Sequence, residues 1–325
     1  MKRVLSLLAF ALLIAAPLRS NLSQFTGSIN NRDHWDFTAF PVTYQINPKR
    51  SANMIGTADA GSAVDAAFAT WLTAPNATLS ASRGPDTTST SHGSDGQNLI
   101  CFVCQADFSK DASTLAVTLT TTADGAGGSD LHGGSTRFAG QIIDADLIFN
   151  PAVCFSTDVA GKCSNGKDSE DLQTVATHEI GHFFGLDHSA IVRAVMFPFS
   201  PPVQHVLSLD DVAGISTTYP KPAPDFATGS ISGSVNFASG GGVLGAHVFA
   251  ESQTGGPGLP STIRNSPVGT LSINTGAYTI TGLPADNYLV AAEPLNEPVT
   301  NDNVTGYAKL FGATSVNTGF NTTFH

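Results

Sequence analysis

The stretch Thr177-His178-Glu179-Ile180-Gly181-His182-Phe183-Phe184-Gly185-Leu186-Asp187-His188-Ser189 decides how the rest of the chain is read. It closes the clearest helical pattern in the sequence, which predicts a helix near residues 169–184. Asp168 or Ser169 can cap its start. Leu172, Ala176, Ile180 and Phe183 recur at helical spacing and mark the core side. His178 and His182 are four apart, so they stack on one adjoining face, where two imidazoles can grip one metal ion. Gly185 can then end the helix in a left-handed turn. That turn swings the chain round so that His188 can supply a third nitrogen. Three neutral histidines suit zinc and leave a fourth position open for water. Glu179 stands next to the first ligand, within reach of that water.

Chance occurrence of His, Glu, His, Gly and His at these spacings is on the order of 10⁻⁴ in a chain this size. A purely structural zinc site is the rival reading, but such sites are usually closed by four ligands, rich in Cys, and need no glutamate. His-Glu-x-x-His-x-x-Gly-x-x-His is the metzincin signature. In detail the stretch resembles the matrixin branch, through Gly181 inside the motif, Phe184-Gly185-Leu186, and Ser189 after His188. Ala194-Val195-Met196-Phe197-Pro198 resembles the family's methionine turn. Leu207-Ser208-Leu209-Asp210-Asp211-Val212-Ala213-Gly214-Ile215, with Tyr219 close behind, resembles the helix that follows it. Upstream, Asp171-Leu172-Gln173, Trp71 and Val42-Thr43-Tyr44 also match, so the likeness spans roughly residues 35–220.

The resemblance implies a metzincin catalytic domain, with a twisted mixed sheet and an active-site helix; with the small all-β sandwich expected after it from the C-terminal strand pattern, the fold class is α+β. It implies a catalytic zinc on His178, His182 and His188, with Met196 as an apolar floor beneath them. Glu179 would be the general base that takes a proton from a zinc-activated water as it attacks a peptide carbonyl. The substrate would lie extended beside a sheet-edge strand, for which Leu115–Thr118 is the candidate. There are departures from the family. No cysteine-switch propeptide is visible. Pro198-Phe199-Ser200 stands where animal matrixins carry Pro-x-Tyr. His92, Asp95, Asp130 and His132 could bind a second metal or form a solvated polar loop. Asp144 and Asp146 could help bind Ca²⁺ or be surface acids on a strand.

The remainder of the chain fits an exported enzyme. At about 150 residues per domain, a chain of this length holds roughly two. The net charge is −11, which argues against nucleic acid as a partner. With 41% hydrophobic residues, wholesale disorder is also excluded. Lys2 and Arg3 precede an apolar run from Val4 to Pro17. This predicts a secretory signal over residues 1–20, an uncleaved anchor being the alternative. No second stretch is long enough to span a membrane, so the protein is expected to be secreted, or periplasmic. The 4 cysteines then favour two disulfides with three pairings open. A Cys101–Cys104 bridge requires a turn at Phe102-Val103.

Strands are expected at Pro41–Ile46, Leu99–Val103, Thr114–Thr120 and Ile142–Phe149, and a helix at Ala63–Leu72. Residues 221–228 form a linker. Residues 229–300 show short strands between glycine turns: 231–235, 243–250, 270–273, 277–280 and 288–291. The run from Gly276 to Tyr288, with Gly245-Ala246-His247-Val248, resembles the carboxypeptidase-regulatory-like β-sandwich. Such a module could serve as a folding partner, or could dock the enzyme on a surface or matrix ligand. Residues 301–325 stay unassigned. The expectation is a secreted zinc-dependent endopeptidase acting on protein or peptide substrates. The alternative is a surface-binding, adhesive protein with a structural metal site.

Overall fold

The structure, a computed structural model, describes residues 23–325 apart from 107, 109–112, 159, 160, 165, 257, 258 and 305. The expected signal segment lies outside the described residues. Val42–Asn47 (β1), Ala60–Leu72 (α1), Ala81–Arg83 (β2), Leu99–Cys101 (β3), Ala116–Thr122 (β4) and Ile142–Phe149 (β5) follow one another. They build a mixed sheet of order β2-β1-β3-β5-β4. The first four strands of that order run parallel, and β4 lies antiparallel on β5 at the edge. Every residue of β5 is buried, as a central strand covered on both faces requires. In β4 only Ala116 is buried, as suits an edge.

Asp59 caps α1 by accepting from the Ser62 N–H. Val64, Ala67, Phe68 and Trp71 on that helix are buried. Phe68 stacks on Tyr44 of β1 with ring centres 3.9 Å apart. The Trp71 indole donates to the Thr177 carbonyl at 2.7 Å, tying α1 to the next helix. The two-residue strands Phe155–Ser156 (β6) and Glu170–Asp171 (β7) pair in parallel. This pairing holds residues 170–171 extended, so Leu172–Phe183 (α2) starts after them. Asp171 therefore caps α2, accepting from Thr174 N–H at 2.7 Å, and Asp168 and Ser169 do not. Disulfides join Cys101 to Cys104 and Cys154 to Cys163, with Cα–Cα distances of 5.7 and 6.2 Å. The backbone bends at Phe102 and Val103, which lets the first pair meet.

After Leu209–Thr218 (α3) the regular elements are strands, apart from one 3-10 turn at Ala308–Phe311: Gly229–Ser234 (β8), His247–Ser252 (β9), Val268–Leu271 (β10), Ala277–Leu283 (β11), Tyr288–Glu293 (β12) and Thr323–Phe324 (β13). An antiparallel sheet of order β10-β9-β12-β13 faces the antiparallel pair β11-β8, with β11 packed on β9 and β10. One apolar cluster runs from Trp71, Ile180 and Ile215 through to Val248, Ile280 and Val290. It therefore crosses the stretch 221–228. Asn76 pins that stretch, its amide donating to the Phe226 carbonyl at 3.0 Å and its oxygen accepting from the Phe226 N–H at 3.1 Å. Among the described residues no helix is long and apolar enough to cross a membrane.

The contact between α3 and β11 is close because of Gly282. Its φ is +78°, and an added Cβ would lie 2.6 Å from the Ala213 Cβ. Gly282→Ala is expected to lower stability by about 1–3 kcal/mol through strain and overpacking. Because the core is shared, calorimetry of the wild-type chain should show one unfolding transition. Two resolved transitions would contradict a shared core.

Candidate metal centre

Helix α2 carries His178 and His182 one turn apart, and its end is shaped by Gly185. That residue has φ +84°, and a Cβ there would sit 2.0 Å from the Asp33 carbonyl oxygen. Only glycine meets both demands. The reversal brings His188 to the other two, so that one potential ligand atom from each of the three lies within 4.8 Å of the others. No other such group of His, Cys, Asp or Glu exists among the described residues.

The ring orientations are set by backbone. His178 Nδ1 lies 2.7 Å from the Val195 carbonyl, His182 Nδ1 2.7 Å from the Leu186 carbonyl, and His188 Nδ1 2.6 Å from the Asn303 carbonyl. A carbonyl can only accept, so each Nδ1 carries the proton and each Nε2 keeps its lone pair. Burial lowers the proton affinity of all three, His178 to about 3 and His182 well below the usual value, with neighbouring histidines adding to the effect for both. Three neutral imidazoles with converging Nε2 atoms are the donor set that zinc takes, so the residues present fit that ion.

Against α2, Met196 is fully buried. A Cβ on Gly181 would lie 2.2 Å from Met196 Sδ and 2.9 Å from Trp71 Cζ2. Glycine inside the motif thus lets the methionine press against the helix backbone. The turn bearing Met196 hangs on Asp211, which accepts from Val195 N–H at 2.8 Å and Met196 N–H at 3.1 Å. Asp211 also accepts from Ser208 N–H and Oγ–H at 2.8 and 2.7 Å. Val195 in turn holds His178 through its carbonyl. Asp210 accepts from Ser189 Oγ–H at 2.6 Å and from the Gly269 N–H of β10 at 2.8 Å. The sequence motif contained these acids, but their roles as anchors of backbone N–H groups emerge only in three dimensions.

Glu179 is buried beside the triad, and burial pushes its carboxyl up to about 7, opposed by a hydrogen bond from Thr118. Thr118 Oγ–H donates at 2.7 Å to Glu179 Oε2 and lies 3.0 Å from its backbone carbonyl. Thr118 belongs to β4, so the edge strand borders the site. A cleft of about 850 Å³ opens here, lined among others by Leu115, Val117, Phe197, Phe199 and Leu310. Its wall includes residues from 23–25 and 303–310, which sequence reading had not placed at the site.

The other candidate ligands do not gather. His92 Nε2 faces the Gln105 carbonyl at 2.8 Å and His132 Nε2 the Ile143 carbonyl at 3.1 Å. Asp130 accepts from the N–H groups of His132 and Gly134, and Asp95 from that of Gln97. Asp144 and Asp146 are not surface acids, since both are fully buried. The loop before β3 donates to them from Gly93, Asp95 and Gly96, and Leu99 at the start of β3 donates to Asp146. Backbone N–H groups there replace solvent, and burial still raises Asp144 to about 7.

Residues 107–220 match the family model of matrixins. This part of the chain is similar to the matrixin branch of the metzincins. Metalloendoproteinase 1 of Glycine max is 49% identical over 51 residues, 15% of this chain and 17% of that protein. Metalloendoproteinase 1-MMP of Arabidopsis thaliana is 53% identical over 51 residues, 15% of this chain and 14% of that protein. Karilysin of Tannerella forsythia is 30% identical over 112 residues, 34% of this chain and 21% of that protein. The chain thus spans about a fifth or less of the length of these relatives. The matrixin match holds α2, the triad and α3, while β1 to β3 and the strands after residue 220 lie outside it.

Asp211→Ala would leave the buried Val195 and Met196 N–H groups of the matrixin-like turn without an acceptor. At about 1–3 kcal/mol for each unsatisfied group, a loss of about 2–6 kcal/mol is expected in denaturant unfolding.

Proposed function

We propose that the chain is an exported zinc-dependent endopeptidase that cuts extended protein or peptide substrates. The observation that carries this reading is the set of three histidines whose Nδ1 atoms are all committed to backbone carbonyls, beside a buried glutamate and an exposed strand edge. His178, His182 and His188 would hold the ion through Nε2. A bound zinc would supply Lewis acidity to a water and to the scissile carbonyl oxygen.

The chain's own groups account for the rest. The Glu179 carboxylate accepts a proton from the attacking water and delivers it to the leaving amine nitrogen. A carboxyl held near neutrality by burial suits both transfers. Thr118 fixes Oε2, so that the other carboxylate oxygen is aimed by a group on the edge strand itself. The outer edge of β4 offers backbone N–H and C=O groups to an extended peptide, which would join the sheet as a further strand. Phe197 and Phe199 give the cleft apolar surface for a substrate side chain. Met196 is a support beneath the ligands. A structural metal staple would leave Glu179 and its Thr118 contact without a task.

The test is hydrolysis of denatured casein and of a quenched peptide library, with and without a zinc chelator. Glu179→Ala should keep one zinc per chain and lose about 10²–10⁴-fold or more in kcat/KM. A variant that cuts normally would refute the assigned base. Zinc binding with no cleavage of any peptide by the wild-type chain would favour the binding-protein reading.

A further inference from the structure

Two of the three histidines are oriented locally. His182 leans on the Leu186 carbonyl four residues away, and His178 on the Val195 carbonyl of the methionine turn. His188 is different, because its Nδ1 partner is the carbonyl of Asn303, which lies 115 residues further along and beyond the C-terminal strands β8 to β12. That carbonyl is itself held in place. Asn303 N–H donates to the Thr300 carbonyl at 3.1 Å, and Asn303 Oδ1 accepts from Thr300 N–H at 2.9 Å and lies 3.3 Å from Thr300 Oγ1. The side chain thus closes the tight turn 300–303 that aims the backbone oxygen.

The following residues are packed as well as bonded. Val304, Tyr307 and Ala308 sit in a small apolar cluster with Leu244, Leu295 and Val316. Ala190 and Phe197 pack on the same cluster, one two residues after His188 and the other directly after Met196. Asn303, Gly306, Tyr307 and Leu310 line the cleft.

We propose that the segment 300–310 is a working part of the metal centre, with Asn303 as the positioning residue for the third histidine through its backbone carbonyl. The strands after residue 220 then act as the scaffold that delivers this segment to the cleft. In this role they are a component of the active site, which goes beyond a spacer. An outer partner of a metal-bound histidine typically changes metal affinity by about 10–100-fold when lost.

The test uses the full chain and reads zinc affinity by competition with a chromogenic chelator, at a temperature where every variant is folded. This inference rests on the zinc reading above. Asn303→Ala removes the Oδ1 that closes the turn and should weaken zinc binding about 10-fold or more. Asn303→Asp keeps an acceptor there and should stay within about 2-fold of wild type, well inside the 10-fold lower bound for losing the contact. Asp59→Ala, which only loses the cap of α1 at about 1 kcal/mol, should bind zinc like wild type. Unchanged affinity in Asn303→Ala, or equal losses in all three variants, would overturn the proposal and leave the zinc reading intact. Failure of the wild-type chain to bind zinc would overturn both. Should Asn303→Ala not fold, ¹⁵N NMR of the wild-type imidazoles decides. A His188 Nδ1–H protected from exchange like those of His178 and His182 supports the proposal. A freely exchanging one, or a proton on Nε2, refutes it.

Discussion

The arrangement of the site depends on three imidazole N–H groups being bonded to three backbone carbonyls. An unrestrained imidazole exchanges its proton between two nitrogens and turns about two bonds. Here each Nδ1 is committed, to Leu186, Val195 and Asn303, so tautomer and orientation are chosen before any ion arrives. The carbonyls come from three separate places: the turn that ends α2, the methionine turn, and the segment after the last long strand. Each must be held still for the arrangement to last, and much of the remaining structure serves that need.

The acidic pair Asp210–Asp211 carries much of this load. A carboxylate has room for about four hydrogen bonds, and Asp211 spends its two oxygens on Val195, Met196 and Ser208. Asp210 joins Ser189, next to the third histidine, to the backbone of β10. The same device recurs at Asp144 and Asp146, whose carboxyls fasten the loop before β3, and Leu99 at the start of β3, to the central strand. In each case a buried acid is tolerated because backbone N–H groups take the place of water. Glycine has the complementary role. At positions 181 and 185 the absence of a Cβ admits Met196 Sδ and the Asp33 carbonyl. The closest packing of the site is therefore backbone against side chain and backbone against backbone.

Local pattern carried a large part of the fold into view. Alternation placed β1 and β5 almost to the residue, and helical spacing placed α1 and α2, because periodicity of apolar residues records which face is buried. The start of α2 was displaced by the β6–β7 pairing, a contact between distant segments that no local pattern encodes. Asp144 and Asp146 looked like strand-surface acids for a related reason: the loop that donates to them is polar and gives no hint of where it folds. The three histidines, Glu179 and Met196 were legible because the proposed chemistry and the packing against α2 demand particular side chains and so constrain residue type. Asn303 was not, since any residue can present a carbonyl.

By itself, then, the sequence determined the chemistry on offer: three imidazoles and one carboxylate at spacings that a helix and a glycine turn convert into proximity, and four cysteines whose pairing it left open. Only the tertiary structure decided what surrounds them. It chose the tautomers, buried Glu179 against the edge strand, and brought the C-terminal segment back onto the cleft. The physical reason is that side-chain identity is written residue by residue. Backbone hydrogen bonds and burial belong instead to pairs of segments that meet only when the chain is folded.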